Sequence, residues 1–460
     1  MSDDTSVPYD IVILGGGSGG YATALRSAQL GLRVALIEKD KLGGTCLHSG
    51  CIPTKALLHA AEVADEARAG TFLGVRTSFN GVDGTALQAF KDRTITRLYG
   101  GLQGLIASSE NITYVEGAGR LVGPKTVDVD GRRYTGTNLV LATGSVARSL
   151  PGIETGGRVL TSSEALALDD IPTSVVVIGG SVIGVEFASL WTSFSAQVTI
   201  LEALPVLVPH EDRTLSKHLE RAFRKRKIAV RTSTTVVGVE QHHDGVKVLL
   251  HDDEKLEADY VLVAVGRTPV SSGLGLEQIG VATDRGWVVT NERLATNIGG
   301  VYAVGDLVRG LQLAHRGFAH GIFVAEEIAG LNPEPVLDSM ISRVTYCEPE
   351  LASVGLTELQ AREAFGEVDA LEYNLGGNGK SQILQTTGVV KIVRQPGGPI
   401  VGIHMLGARM GEQIGEAALI VNSEATPSDI ARIIHAHPTQ NEALGEAALA
   451  LAGKPLHTHR

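Results

Sequence analysis

Two stretches of the chain carry the same alternation of apolar runs and glycine-rich turns. Residues 9–14 are apolar apart from Asp10, which predicts a buried strand. Gly15-Gly-Gly-Ser-Gly-Gly20 follows, then a helical pattern over residues 21–28, then a second apolar run over 34–37 that ends on Glu38. The sequence repeats this further along. Residues 175–178 predict a strand, Gly179-Gly-Ser-Val-Ile-Gly184 a turn, residues 185–190 a helix, and residues 197–201 a strand closed by Glu202. The separation from first glycine to carboxylate is the same in both copies. In the last third, residues 353–356, 389–393 and 400–405 predict strands of a sheet, and alanine-rich stretches at 415–421 and 442–452 predict helices packed on it.

Strand, G-x-G-x-x-G turn, helix, strand and acidic residue together form a dinucleotide-binding pattern. Gly15 makes the tight turn, Gly17 admits the pyrophosphate to the backbone, and Gly20 lets helix and strand approach. The helix N-terminus offers N–H groups and partial positive charge to phosphate, and Glu38 suits ribose hydroxyls. One such turn is weak evidence; two, each in the right setting, are strong. In the second copy Gly179 and Gly184 keep their places but Ser181 stands where the middle glycine is expected. Glu202 favours NAD over NADP, since a carboxylate repels a 2′-phosphate.

Length changes this picture only by requiring more than one domain: 460 residues exceed a single ordinary core. A net charge of -11 gives no general attraction to nucleic acid. The first residues are acidic and lack a signal-peptide pattern, and the apolar run at 175–185 is too short to span a bilayer, so the expected location is the cytoplasm, with no membrane partner. Three cysteines exclude a disulfide-stapled scaffold. Cys46 and Cys51, in Gly43-Gly-Thr-Cys-Leu-His-Ser-Gly-Cys-Ile-Pro-Thr-Lys55, are five positions apart, a spacing that misses one face of a regular helix. A bond between them needs a distorted helix start, with Gly50 giving the room. Residue by residue, a reactive disulfide, a reduced pair or half of a metal site are all open, though no second cysteine cluster exists to complete a metal site. Cys347 has no partner at useful spacing.

At this point a resemblance becomes specific. The Cys46–Cys51 segment is similar to the redox-active disulfide of the FAD-dependent pyridine nucleotide–disulfide oxidoreductases, and most of all to their dihydrolipoamide-oxidising branch. Leu141-Ala-Thr-Gly-Ser145 resembles the turn that closes the first FAD segment, Gly300-Val-Tyr-Ala-Val-Gly-Asp306 the second FAD motif, and His435-Ala-His-Pro-Thr-Gln-Asn-Glu442 the C-terminal acid–base motif. The resemblance covers nearly the whole chain in the family's order. It implies an α/β fold of two Rossmann-like domains, one for FAD and one for NAD, with a C-terminal α+β dimerisation domain. The corresponding segments are 1–150 and 272–340 for FAD, 151–271 for NAD with its exit at Gly266-Arg-Thr-Pro269, and 341–460 for the interface.

The family's roles carry over as follows. Cys46 is the sulfur attacked by substrate and Cys51 the one nearer the flavin. His437 is the acid–base group, oriented by Glu442, with His435 as its nearest competitor. Lys55 and Glu186 form an ion pair beside the flavin. Gly15, Gly17, Gly20, Glu38, Lys55, Thr143, Gly144, Asp306 and Ala314 serve FAD, while Gly179, Gly184, Glu202 and Gly266 serve NAD. No metal is implied. The partners implied are a second copy of the chain, dihydrolipoamide carried on a lipoyl domain, and a 2-oxo acid dehydrogenase complex or the glycine cleavage system. The sequence departs from the usual pattern at His48, Ser49, Thr54, Gln440 and Asn441. Other members that reduce glutathione or mycothiol are the alternatives, although Glu202 and Val182 weigh against glutathione. A nucleotide-binding scaffold without catalysis is the reading from a different class.

Overall fold

The computed structural model describes residues 9–251 and 253–457. The acidic first residues and the last three of the tail lie outside them. The chain divides into two compact units. The first comprises residues up to Ala56, Thr85–Arg148 and Arg267–Asp338; the second comprises Leu57–Gly84, Ser149–Gly266 and Ser339–Arg460.

In the first unit a parallel sheet runs in the order Ile112–Glu116, Val34–Glu38, Tyr9–Leu14, Arg132–Leu141, Val301–Ala303. Its central strands read as continuous apolar runs because both faces are covered; Ile11, Val12, Ile13, Leu36, Leu139 and Val140 are fully buried. The register pairs Leu14 with Ile37 and Leu141, and Leu141 with Ala303. Four strands therefore end level, and the residues that follow them share one edge of the sheet. Two helices, Ser18–Gln29 and Ala314–Ile328, pack closely on one another. Glycine makes this possible: a Cβ on Gly321 would stand 2.5 Å from the Gly19 carbonyl oxygen. Arg132–Leu141 also continues back into an antiparallel meander with Thr126–Val129 and Arg120–Gly123.

The second unit holds the repeat. Ala229–Arg231, Gln197–Leu201, Ser174–Ile178, Tyr260–Val263 and Val159–Leu160 form a parallel sheet, and a three-stranded meander, Val236–Gln241, Val246–Leu250 and Lys255–Ala258, comes before Tyr260–Val263 in the chain. Ile178 pairs with Leu201 and with Val263, so Gly179, Glu202 and the loop to Gly266 share its C-terminal edge. The same unit carries a five-stranded antiparallel sheet, ordered Arg343–Thr345, Glu350–Gly355, Ile400–Gly407, Val389–Arg394, Asp369–Asn374. Helices Met410–Asn422 and Glu442–Leu451 cover it through Ala417, Ile420, Ala443, Leu444 and Ala447. The three strands and two helices expected here are present, four of them longer by a few residues and the last helix one residue shorter.

Candidate active site

The two nucleotide turns are built alike. Gly15 has φ +109° and Gly179 φ +107°, a backbone region that L side chains avoid. A Cβ at Gly15 would overlap the Ala142 carbonyl, and one at Gly179 the Ala264 carbonyl. A Cβ at Gly20 would overlap the carbonyl of Gly15, and one at Gly184 that of Gly179. The carboxylates are placed alike as well. Glu38 accepts from Gly16 N at 2.6 Å and from Asp40 N at 2.9 Å; Glu202 accepts from Gly180 N and from Leu204 N, both at 2.7 Å. Each carboxylate is thus fixed at the end of its strand beside the helix N-terminus. Gly17 and Ser181 are the N-caps of the two helices, and neither helix has a side-chain cap, which leaves the first backbone N–H groups available to an anion.

Asp306 lies in a short turn, Gly305–Leu307, at the edge where Thr143 and Gly144 also lie. Ser145 Oγ donates to Asp306 at 2.6 Å and accepts from Arg267 Nε at 2.7 Å, and the guanidinium stands 3.8 Å from the Asp306 carboxylate. Thr143 Oγ1 donates to Val270 O at 2.6 Å. Ala314 is the first residue of its helix, whose N-cap Leu313 supplies no side-chain cap. Gly17 leaves space where a side chain would be: a Cβ there would meet only Gly44 Cα, at 4.0 Å. A level strand edge, an open glycine and an uncapped helix fit a dinucleotide's phosphates.

The redox segment starts as the helix Gly44–Ser49, breaks at Gly50 (φ -143°, ψ -109°) and resumes as Cys51–Ala69. The break is what brings two cysteines at this spacing together. Cys46 and Cys51 meet in a hydrogen bond between their side chains. That bond, then burial and the repulsion of a Cys51 charge push the Cys46 thiol far above its ordinary value, opposed by the Lys55 cation. Tyr21 belongs to the same cluster: burial and the two cysteines push its hydroxyl up to about 12. Burial lowers the Arg267 guanidinium, while Asp306 and Cys51 favour its charge. Cys347 is buried, and its thiol donates to Pro349 O at 3.2 Å.

In the second unit His437 Nδ1 lies 2.8 Å from Glu442 Oε1, and Thr439 N donates to Glu442 Oε2 at 2.7 Å. Burial works against the Glu442 charge, but the Thr439 amide, His437 and His435 outweigh it and hold the carboxyl below its usual range. An ionised carboxylate only accepts, so His437 Nδ1 carries the proton of this bond, and Nε2 is the ring nitrogen left outside it. The His437 side chain is 77 % exposed, which leaves that nitrogen accessible. Glu186, nearly buried, accepts from Tyr346 N at 2.9 Å. Gln440 and Asn441 both turn inward. Gln440 accepts from Ser381 Oγ at 2.6 Å and donates to Ala408 O at 2.9 Å, while Asn441 donates to Glu416.

Residues 9–321 match the pyridine nucleotide-disulphide oxidoreductase family, and residues 341–448 match that family's dimerisation domain. The chain belongs to the pyridine nucleotide-disulphide oxidoreductases. Among its relatives in this family is dihydrolipoyl dehydrogenase 2, mitochondrial, of Arabidopsis thaliana, 41% identical over 99% of this chain and 92% of that protein. A dihydrolipoyl dehydrogenase of Bacillus subtilis is 38% identical over 98% and 99%. Among solved structures, LpdA of Mycobacterium tuberculosis aligns with a TM-score of 0.89 at 25% identity, covering 96% of this chain and 99% of that one. The HOCl-induced flavoprotein disulfide reductase RclA of Escherichia coli aligns with a TM-score of 0.86 at 27% identity, covering 96% and 99%.

Three side chains bonded to these segments escape the sequence reading. Ser145 and Arg267 lie inside segments already singled out, next to Gly144 and Gly266, and that adjacency is the signal that could have found them. Glu416 lies inside a helix expected only to pack. Among the described residues no helix is long and apolar enough to cross a membrane, and no three His, Cys, Asp or Glu side chains gather as a metal would require.

Proposed function

We propose that the protein is a dihydrolipoyl dehydrogenase, oxidising dihydrolipoamide with NAD through a Cys46–Cys51 disulfide and FAD. The observation that carries the reading is the contact of Cys46 with Cys51 across the Gly50 break. The substrate is supported by relatives of that name over nearly the full chain. FAD is assigned to the edge formed by Gly15, Gly17, Gly20, Glu38, Thr143, Gly144, Asp306 and Ala314, and NAD to that of Gly179, Gly184, Glu202 and Gly266. A Lys55–Glu186 ion pair beside the flavin belongs to the same reading.

On this reading His437 Nε2 takes the proton from a substrate thiol, and Glu442 stabilises the imidazolium that results. The thiolate attacks Cys46 Sγ; the Cys46–Cys51 bond breaks and its electron pair stays on Cys51. The second substrate thiolate then displaces Cys46, which closes the substrate's disulfide and leaves both cysteines reduced. Bound FAD supplies the two-electron relay from this dithiol to NAD. The Lys55 cation favours the thiolates these steps require. The protein is a homodimer in this proposal, His437 of each subunit serving the cysteines of the other. It works in the cytoplasm on a lipoyl domain of a 2-oxo acid dehydrogenase complex or the glycine cleavage system.

The test is NADH formation from NAD and dihydrolipoamide by the purified yellow protein, with Cys46→Ser beside it. Turnover that disappears in the variant is expected. Bound flavin without turnover of dihydrolipoamide would instead point to another small disulfide, such as mycothione.

A further inference from the structure

The seven residues from His435 to Asn441 include His437, and one carboxylate holds both ends of them. Glu416, on the helix Met410–Asn422, accepts from His435 Nε2 at 2.8 Å through one oxygen and from Asn441 Nδ2 through the other. His435 is well enclosed, with 10% of its side chain exposed. Its ring lies against Gly445, where a Cβ would stand 2.6 Å from Nδ1. Glu442, by contrast, grips the middle of the segment at His437 and Thr439. Asn378 Nδ2 adds a bond to Thr439 O at 3.0 Å. Two carboxylates thus divide the work: one orients the ring, and the other fixes the backbone on which the ring stands.

We propose that Glu416 is a positioning residue for His437, acting through His435 and Asn441 and touching neither substrate nor cofactor. The proposal rests on the acid–base role given to His437 above. Within its own chain His437 is largely exposed, so its place depends on the loop. A carboxylate suits the task because it offers acceptors to two donors at once, where an amide would present a donor to one of them. Asn441 stands where the family usually has serine, and its longer side chain is the one that reaches Glu416.

The experiment compares Glu416→Ala and Glu416→Gln with the unmodified holoenzyme. In Glu416→Ala, kcat for dihydrolipoamide oxidation is expected to fall ~10-fold or more, since small misplacements of a catalytic group are costly. The KM for NAD should not change. Oxidation of NADH by ferricyanide, which uses the flavin but not the histidine, should also keep its rate. Hydrogen exchange at the amides of residues 436–441 should quicken. Glu416→Gln should fall between the two, because Asn441 can turn its amide to accept from the glutamine.

An unchanged kcat in Glu416→Ala overturns the proposal. So does an equal loss of ferricyanide activity, which would mean that Glu416 supports the fold at large. Should the unmodified protein fail to oxidise dihydrolipoamide, the substrate reading falls alone. The exchange measurement still decides the clamp: quickening confined to residues 436–441 supports it, and unchanged exchange refutes it.

Discussion

Gly17 and Ser181 occupy the same place in the two nucleotide turns, with nearly the same backbone: φ -71°, ψ -170° and φ -87°, ψ -172°. That conformation is open to any residue, so serine brings no strain at 181. What it brings is bulk. At Gly17 the direction a Cβ would take is open, and Ser181 fills the matching space with a side chain that makes no capping bond. Removing it should improve the approach of the NAD pyrophosphate. Ser181→Gly is expected to tighten NADH binding by about 3- to 10-fold, on the order of 1 kcal/mol, read by fluorescence titration. Weaker binding would show instead that the hydroxyl donates to the phosphate.

At the scale of elements, one buried cluster joins a helix start to two strands and a second helix start. Asp212 caps the helix Arg213–Lys225 through Thr214 N at 3.0 Å and accepts from Glu358 N at 3.0 Å. Lys391, on the strand Val389–Arg394, reaches Asp212 and Glu358 at 2.8 Å each and Thr214 Oγ1 at 3.2 Å. Burial opposes the Asp212 charge, but His404, Lys391 and the two amides prevail and hold its pKa at about 2. Because the folded value lies below the ordinary 3.8, the stabilisation is complete above that value and disappears as pH falls through about 2. Lys391→Met leaves buried carboxylate charge unpaired and should cost about 3–5 kcal/mol in denaturant unfolding at neutral pH. The cluster also shows where legibility ended. Strands with apolar runs, the paired glycine turns and the break at Gly50 follow from local pattern and are present as expected. The edge strands Arg343–Thr345 and Asp369–Asn374 do not stand out, because an edge buries few side chains: Tyr373 is the one buried residue of the second. Glu416 and Lys391 were hidden for another reason. Their partners lie far off in sequence, and a single charge on a helix or strand reads as a solvated face until the fold brings its donors or acceptors to it.

For the molecule as a whole, the family's dimerisation domain ends in an apolar display beside the histidine motif. Ile434 is 97% exposed and Ile433 49%, next to His435, and Leu419 on the neighbouring helix is 70% exposed. A second copy covering these residues accounts for them. Ile434→Glu should therefore lower the dimer's stability, seen by light scattering on dilution, and the monomer should lose dithiol oxidation while keeping ferricyanide reduction. A dimer that survives dilution unchanged would place the interface elsewhere. The duplicated nucleotide turns have a different consequence. Gly20 and Gly184 meet equivalent carbonyls, those of Gly15 and Gly179, at nearly the same distance, so an alanine at either one disturbs the bare fold in a similar way. The chain thus contains its own matched control. Whatever separates the two alanine variants in stability measures what each bound dinucleotide contributes to keeping its half of the protein folded.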